Sequence, residues 1–173
     1  MAPAEIRVLT SDDASAYWHF RLEALETEPE AFSTSAEEHR ATTVADFAAL
    51  LSSDPSADFV VGALCGGRLI GAVRYRRERG PKLSHKAWVL GVYVTPSARG
   101  AGIARTLLQT LMSRAAAVPG VEQLVLAVAT NRTPAATLYR SLGFQPFGVE
   151  HHALKIGRRY FDEEFMVWFT SAS

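Results

Sequence analysis

The chain has 173 residues, the span of one domain, and its 18 Lys+Arg balance 18 Asp+Glu, which argues against a protein built to grip a polyanion such as nucleic acid. Its 48% apolar and 21% charged content excludes a disordered chain, and a domain this long buries roughly 70% of its unfolded surface without a metal or disulfide staple. The single cysteine, Cys65, excludes an intramolecular disulfide and a Cys-rich zinc site.

Met1 to Arg7 shows no basic region followed by an apolar run, and no stretch approaches the ~20 apolar residues of a membrane-spanning helix. The expectation is a soluble, cytoplasmic single domain over residues 1–173, with no membrane partner. A short strand around Ile6 and Val8 comes first. Thr10 to Asp13 then caps a helix running to about Glu26, whose apolar stripe reads Ala14, Tyr17, Trp18, Leu22 and Leu25. Pro29 ends it. Residues 30–38 form a loop or broken helix, Val44 to Leu51 a second short helix, and residues 52–56 a turn.

From Asp58 the period changes to that of strands. FVVGALC and LIGAVRYR are joined at Gly66-Gly67 as a hairpin, and AWVLGVYV (87–94) is the third strand of the run. Arg74, Arg76, Arg77 and Arg79 make a basic arm, read as a solvated sheet edge that could also meet an acidic acceptor. Ile103 to Ala115 is a helix stopped by Pro119-Gly120, and LVLAVAT (124–130) is a strand covered on both faces. Thr133 as N-cap and Pro134 open another helix, closed by Gly143. Strands near 147–156 and 159–169 finish the chain. His151 and His152 fall on opposite strand faces, the wrong arrangement for two ligands of one metal, so no metal site is expected.

Arg99-Gly100-Ala101-Gly102-Ile103-Ala104-Arg105 lies between a strand and a helix start. Small residues there expose backbone N–H groups, the helix N-terminus adds partial positive charge, and Arg99 and Arg105 can supplement it, so an anionic phosphate is the natural ligand. The dinucleotide fingerprint fails because Arg105 stands where a small residue is needed, and no P-loop Lys-Ser/Thr follows. A plain connecting turn is the alternative. Tyr139 shares an apolar stripe with Ala135, Leu138 and Leu142, so it reads as a core tyrosine or as one whose hydroxyl reaches a cleft.

The R-x-x-G-x-A string after V-x-V-x-P, with AATLYRSLGF (135–144) downstream in register, resembles motifs A and B of the GNAT N-acetyltransferases. The order of elements along nearly the whole chain is similar too. The resemblance implies the GNAT fold, an α/β (α+β type) domain with a mixed, mostly antiparallel sheet of about seven strands and helices on both faces. It implies acetyl-CoA as cosubstrate, no metal, and direct transfer of the acetyl group to a primary amine of a small molecule or peptide. Val92, Tyr93 and Val94 would follow the pantetheine, Arg99, Gly100, Ala101, Gly102, Ile103, Ala104 and Arg105 the pyrophosphate, and Tyr139 would be the general acid. The family's asparagine slot seven residues before that tyrosine holds Arg132, with Asn131 one place earlier, so either residue could serve. Phe32, Ser33 and Glu150 lie on the segments expected to bound the acceptor. No carboxylate stands on the 87–94 strand, which leaves His85, Glu150, His151, Glu23 and Glu26 as base candidates, or water. Homodimers are frequent in that family, though nothing in the sequence marks an interface. The rival readings are a non-catalytic acyl-CoA-binding or regulatory module and a protein N-terminal or lysine acetyltransferase.

Overall fold

In the computed structural model the elements are β1 (Glu5–Val8), α1 (Ala14–Thr27), α2 (Ala36–Arg40), α3 (Val44–Leu51), β2 (Asp58–Cys65), β3 (Arg68–Arg77), β4 (Lys86–Val94), α4 (Ile103–Ala116), β5 (Gln123–Ala129), α5 (Thr133–Ser141), β6 (Gln145–Ile156) and β7 (Arg159–Phe169). Residues 4–170 are described; Met1–Pro3, the start of the segment read for a leader, and Ser171–Ser173 lie outside the described residues. The strands join in one sheet of order β1-β2-β3-β4-β5-β7-β6, antiparallel except for the β4–β5 pair. The expected mixed, mostly antiparallel sheet with helices on both faces is borne out.

Strand alternation writes the two cores. Val60, Ala72 and Tyr93 pack with Tyr17, Phe20 and Ala24 of α1, while Val61, Val73 and Val89 turn to the other face and meet Leu107, Leu108 and Leu111 of α4. Each of those leucines is fully buried, worth about 1.5–3 kcal/mol apiece in transfer from water. Local chemistry starts the two short helices. Ser35 accepts the Glu38 N–H while Glu38 accepts the Ser35 N–H, and Thr43 with Asp46 repeats the reciprocal cap.

Three sequence expectations change. The buried stripe of α1 is Ala14, Tyr17, Phe20, Ala24 and Leu25, and Trp18 and Leu22 are only half-buried. Trp18 faces α2 instead, donating its indole N–H to Thr42 and packing on His39, because a second helix lies along that flank. The basic arm is not an edge. β3 sits between β2 and β4, so Arg74 is half-buried and forked onto Asp58, and Arg77 donates to the Ser84 carbonyl. Thr133 is the first helical residue of α5 rather than its cap, which is Arg132, without a side-chain capping bond.

Two departures from regular sheet position the site. β4 and β5 pair only at Lys86–Gln123, Ala87–Leu124 and Trp88–Val125, then diverge. Gly91, at φ +61°, starts a bulge: Arg74 faces Leu90 while Ala72 faces Tyr93, so Leu90 and Tyr93 share one face though three residues apart. The sheet therefore opens as a wedge between β4 and β5, with the bulge on one wall.

Candidate functional site

The turn after β4 is a cradle of backbone donors. Gly100 and Gly102 adopt φ of +80° and +78°, the left-handed region where a side chain is strained, and a Cβ built on either would meet open space. The glycines are required by conformation, not by crowding. Among the described residues, the N–H groups of Gly100, Ala101, Gly102, Ile103, Ala104 and Arg105 find no acceptor, and the first internal bond of α4 is Thr106 N–H to the Gly102 carbonyl. A run of unpartnered donors at a helix N-terminus fits a multiply charged phosphate group. That observation favours the anion cradle over the plain connecting turn.

The two arginines flanking the cradle are differently occupied. Arg105 reaches Ser141 at the end of α5 with an Nη2–Oγ distance of 2.7 Å. Arg99 turns back: its Nε donates to the Val94 carbonyl at 2.9 Å, its guanidinium lies 5.5 Å from the Tyr93 ring centre, and Nη2 stands 2.8 Å from Glu28. Glu28 also holds Arg132 at 3.1 Å, and Arg132 holds Glu30 at the same distance. One carboxylate thus ties the β4–α4 turn, the β5–α5 loop and the segment after α1 across the wedge. Arg132 is committed to that tie. Asn131 is exposed with no hydrogen-bond partner, which leaves its side chain available to a ligand.

Val94, Ile103 and Tyr139 belong to one core cluster on the α4 face, with half-buried Val92 against it. Tyr139 is buried against Phe144, and burial pushes its hydroxyl well above the ordinary tyrosine range, so the group is held protonated. Its hydroxyl has no hydrogen-bond partner and is not sealed in, since Thr95 Oγ1 is the sole fully buried unpartnered side-chain polar atom among the described residues. Tyr139 is therefore a core tyrosine whose hydroxyl is left without a partner among the described residues.

The opposite face of the wedge carries an open cleft of about 570 Å³ beneath α1, the 30–34 segment and α3. Its floor includes Trp88, Leu90 and Phe165, its rim Phe32 and Ser33. Arg21 lies over the bulge, where a Cβ on Gly91 would stand 2.9 Å from its Nη1, and its guanidinium packs 5.1 Å from the Phe32 ring centre. Arg74, Arg76 and Glu163 also line the cleft. Burial, and then the charge of Glu150, raise the Glu163 carboxyl above its ordinary value. Glu150 faces Glu163 across the β6–β7 ladder but is itself exposed.

His85 lies elsewhere. It precedes the paired end of β4, where its carbonyl accepts from Glu122 and Gln123, about 20 Å of strand from the bulge. Glu23 accepts from the Tyr93 hydroxyl at 3.3 Å, Glu26 is tied to Arg40 outside the cleft, and His151 pairs with Asp162 on the hairpin. The sequence reading missed Glu163 and Arg21. Only the β5–β7 pairing, Ala129 opposite Glu163, carries Glu163 to the wedge, and spacing along the chain does not show that pairing. Among the described residues no cluster of His, Cys, Asp and Glu could hold a metal, and no helix is long and apolar enough to cross a membrane.

Comparison with known proteins places these features in context. Residues 17–144 match the model of the Acetyltransferase (GNAT) family. The chain is 37% identical over 97 residues to the N-alpha-acetyltransferase RimI of Mycobacterium tuberculosis, covering 56% of this chain and 58% of that protein. It is 32% identical over 93 residues to an N-alpha-acetyltransferase of Sulfurisphaera tokodaii, covering 50% and 56%. The chain thus aligns with little more than half the length of these curated relatives. In fold it is similar to the yncA acetyltransferase of Salmonella typhimurium, solved with acetyl-CoA, at a TM-score of 0.85 and 20% identity over 99% of this chain and 96% of that one.

Proposed function

The chain belongs to the Acetyltransferase (GNAT) family, and from that premise we propose that it transfers an acetyl group from acetyl-CoA to a primary amine by direct attack. The observation that carries this reading is the unbroken run of free N–H donors from Gly100 to Arg105 at the mouth of a splayed strand pair. Those donors would hold the pyrophosphate, with Arg105 beside it. Val92, Tyr93 and Val94 would run along the pantetheine, where β4 no longer pairs with β5 and its backbone groups are available. Asn131, exposed and uncommitted, takes the pantetheine contact in preference to Arg132, which Glu28 and Glu30 occupy.

The amine enters from the other face. A neutral nitrogen attacks the thioester carbonyl, a C–N bond forms, the C–S bond breaks, and the departing thiolate needs a proton. Tyr139 supplies it: its hydroxyl is protonated at neutral pH and has no other partner among the described residues, although burial makes it a weaker acid than a free tyrosine. The proton leaving the ammonium goes to Glu163, the half-buried carboxylate of the acceptor cleft, in place of the sequence candidate His85, which stands apart. Phe32 and Ser33 bound the acceptor at the rim, and Glu150 acts through its charge on Glu163.

A peptide amino terminus is a second reading of the acceptor, favoured by the names of the two curated relatives. The test is thiol release from acetyl-CoA over a panel of amines, amino acids and peptides, with coenzyme binding measured separately by calorimetry. Acceptor-dependent release is the expected result. Tight coenzyme binding without release on any acceptor would replace the enzyme with a non-catalytic coenzyme-binding module.

A further inference from the structure

The acceptor cleft has an uneven charge inventory. Of its three arginines, only Arg74 is neutralised, its Nε 2.8 Å from Asp58 Oδ1. Arg21 and Arg76 have no carboxylate partner among the described residues; Arg21 stacks on Phe32, and Arg76 is exposed. Arg76 stands opposite Trp88 and Arg74 opposite Leu90, both on the cleft floor, so the cations flank the β4 wall. The anion of the cleft, Glu163, stands on β7 beyond β5. β4 and β7 are two strand positions apart, roughly 10 Å where a sheet is paired and more where this one diverges. One wall is therefore cationic, the other anionic, with Trp88, Leu90 and Phe165 between them.

We propose, on the basis of the acetyl-transfer reading above, that the acceptor is a small zwitterion of the amino-acid class. Its carboxylate docks on Arg21 and Arg76, its ammonium faces Glu163, and its side chain lies on Trp88 and Phe165. The position of Arg21 over the bulge at Gly91 sets the carboxylate, and with it the neighbouring nitrogen, beside the opening where the thioester arrives. A guanidinium grips a carboxylate through paired, charge-assisted hydrogen bonds, whereas the amide that replaces it in a peptide is neutral. Covering the two cations with a neutral backbone would leave them desolvated and unmatched.

The discriminating experiment uses the intact chain with acetyl-CoA and compares leucine, methionine and phenylalanine with their carboxamides and with short peptides of the same first residue. Free amino acids are expected to exceed their amides in kcat/KM by about 10- to 100-fold. Arg76→Gln and Arg21→Gln should each shrink that ratio towards one by raising KM for the acids more than for the amides. Equal use of acid and amide, or a preference for peptides, overturns the zwitterion assignment while leaving acetyl transfer in place. Absence of release on every acceptor, with coenzyme still bound, overturns the parent reading instead.

Discussion

The two faces of the opened sheet are built in different ways. On the α4 side the unpartnered polar atoms are backbone N–H groups, contributed by one unbroken stretch from Gly100 to Arg105. On the α1 side they are side chains from Arg21, Arg76 and Glu163, drawn from a helix and two strands far apart in sequence. A contiguous backbone cradle tolerates little change in conformation and is indifferent to most side chains. A cleft assembled from distant side chains can change its charges without disturbing the fold. The first suits a coenzyme common to a family, the second an acceptor that differs between its members.

The sharpest way to break the division is Tyr139, which the proposal assigns to the coenzyme side as acid. Tyr139→Phe keeps the ring against Phe144 and removes only the hydroxyl. It should lower kcat by about 10²- to 10⁴-fold with coenzyme affinity nearly unchanged, read from steady-state kinetics and calorimetry. Undiminished turnover at every pH would remove the tyrosine from the mechanism.

Next in size is a substitution that attacks the cradle through conformation. Gly102→Val places a β-branched side chain at φ +78°, a strain of about 1–3 kcal/mol that the turn would relieve by leaving its donor geometry. Coenzyme affinity should fall about 10- to 100-fold, while Arg76→Gln, on the other face, should leave it unchanged. Equal losses in both variants would erase the distinction between the faces.

The same contrast decides what could be read from sequence. The cradle was legible because a left-handed backbone selects glycine, so Gly100 and Gly102 announce the geometry they adopt. The acceptor cleft was not, because strand order carries Glu163 beside β5 and puts β3 inside the sheet. Read without that order, the arginines of β3 looked like edge charges, and nothing marked Glu163 as a residue of the cleft. One signal was present and unused: a glycine inside a strand, Gly91, marks the bulge. Trp18 shows a subtler limit, since helical spacing alone could not tell that α2 would cover that flank and leave Phe20 to the core.

Stability offers a milder comparison between the faces. Asp58→Asn leaves the half-buried Arg74 guanidinium on the cleft side without its forked partner, and should cost about 3 kcal/mol in urea unfolding. Glu28→Gln weakens the tie among Arg99, Arg132 and the segment after α1, but Arg132 keeps Glu30 and Arg99 keeps the Val94 carbonyl. Its cost should be about 1 kcal/mol, and salt should reduce the difference from the parent chain. A larger loss from Glu28→Gln than from Asp58→Asn would reverse the ranking of the two.

The smallest effect expected is a pH dependence, and its sign is set by His39. This imidazole is buried on the cleft side between Trp18 and Phe47, with one ring nitrogen 2.9 Å from the Trp18 carbonyl. Burial lowers its pKa against the opposing pull of that carbonyl, and Arg21 and Arg40 lower it further. The unfolded chain, with an imidazole pKa of about 6.5, therefore binds this proton more readily than the folded one. The stabilising contribution is present in full above about pH 6.5 and is lost as pH falls below it towards the folded value. Thermal midpoints should decline on acidification through that window, and His39→Asn should flatten the decline even though it lowers the midpoint at neutral pH. His39 also lines the acceptor cleft beside Arg21, so an amino acid whose carboxylate neutralises that arginine should raise the His39 pKa and reduce the slope. The carboxamide should not, and that difference reads the charge of the acceptor without any turnover.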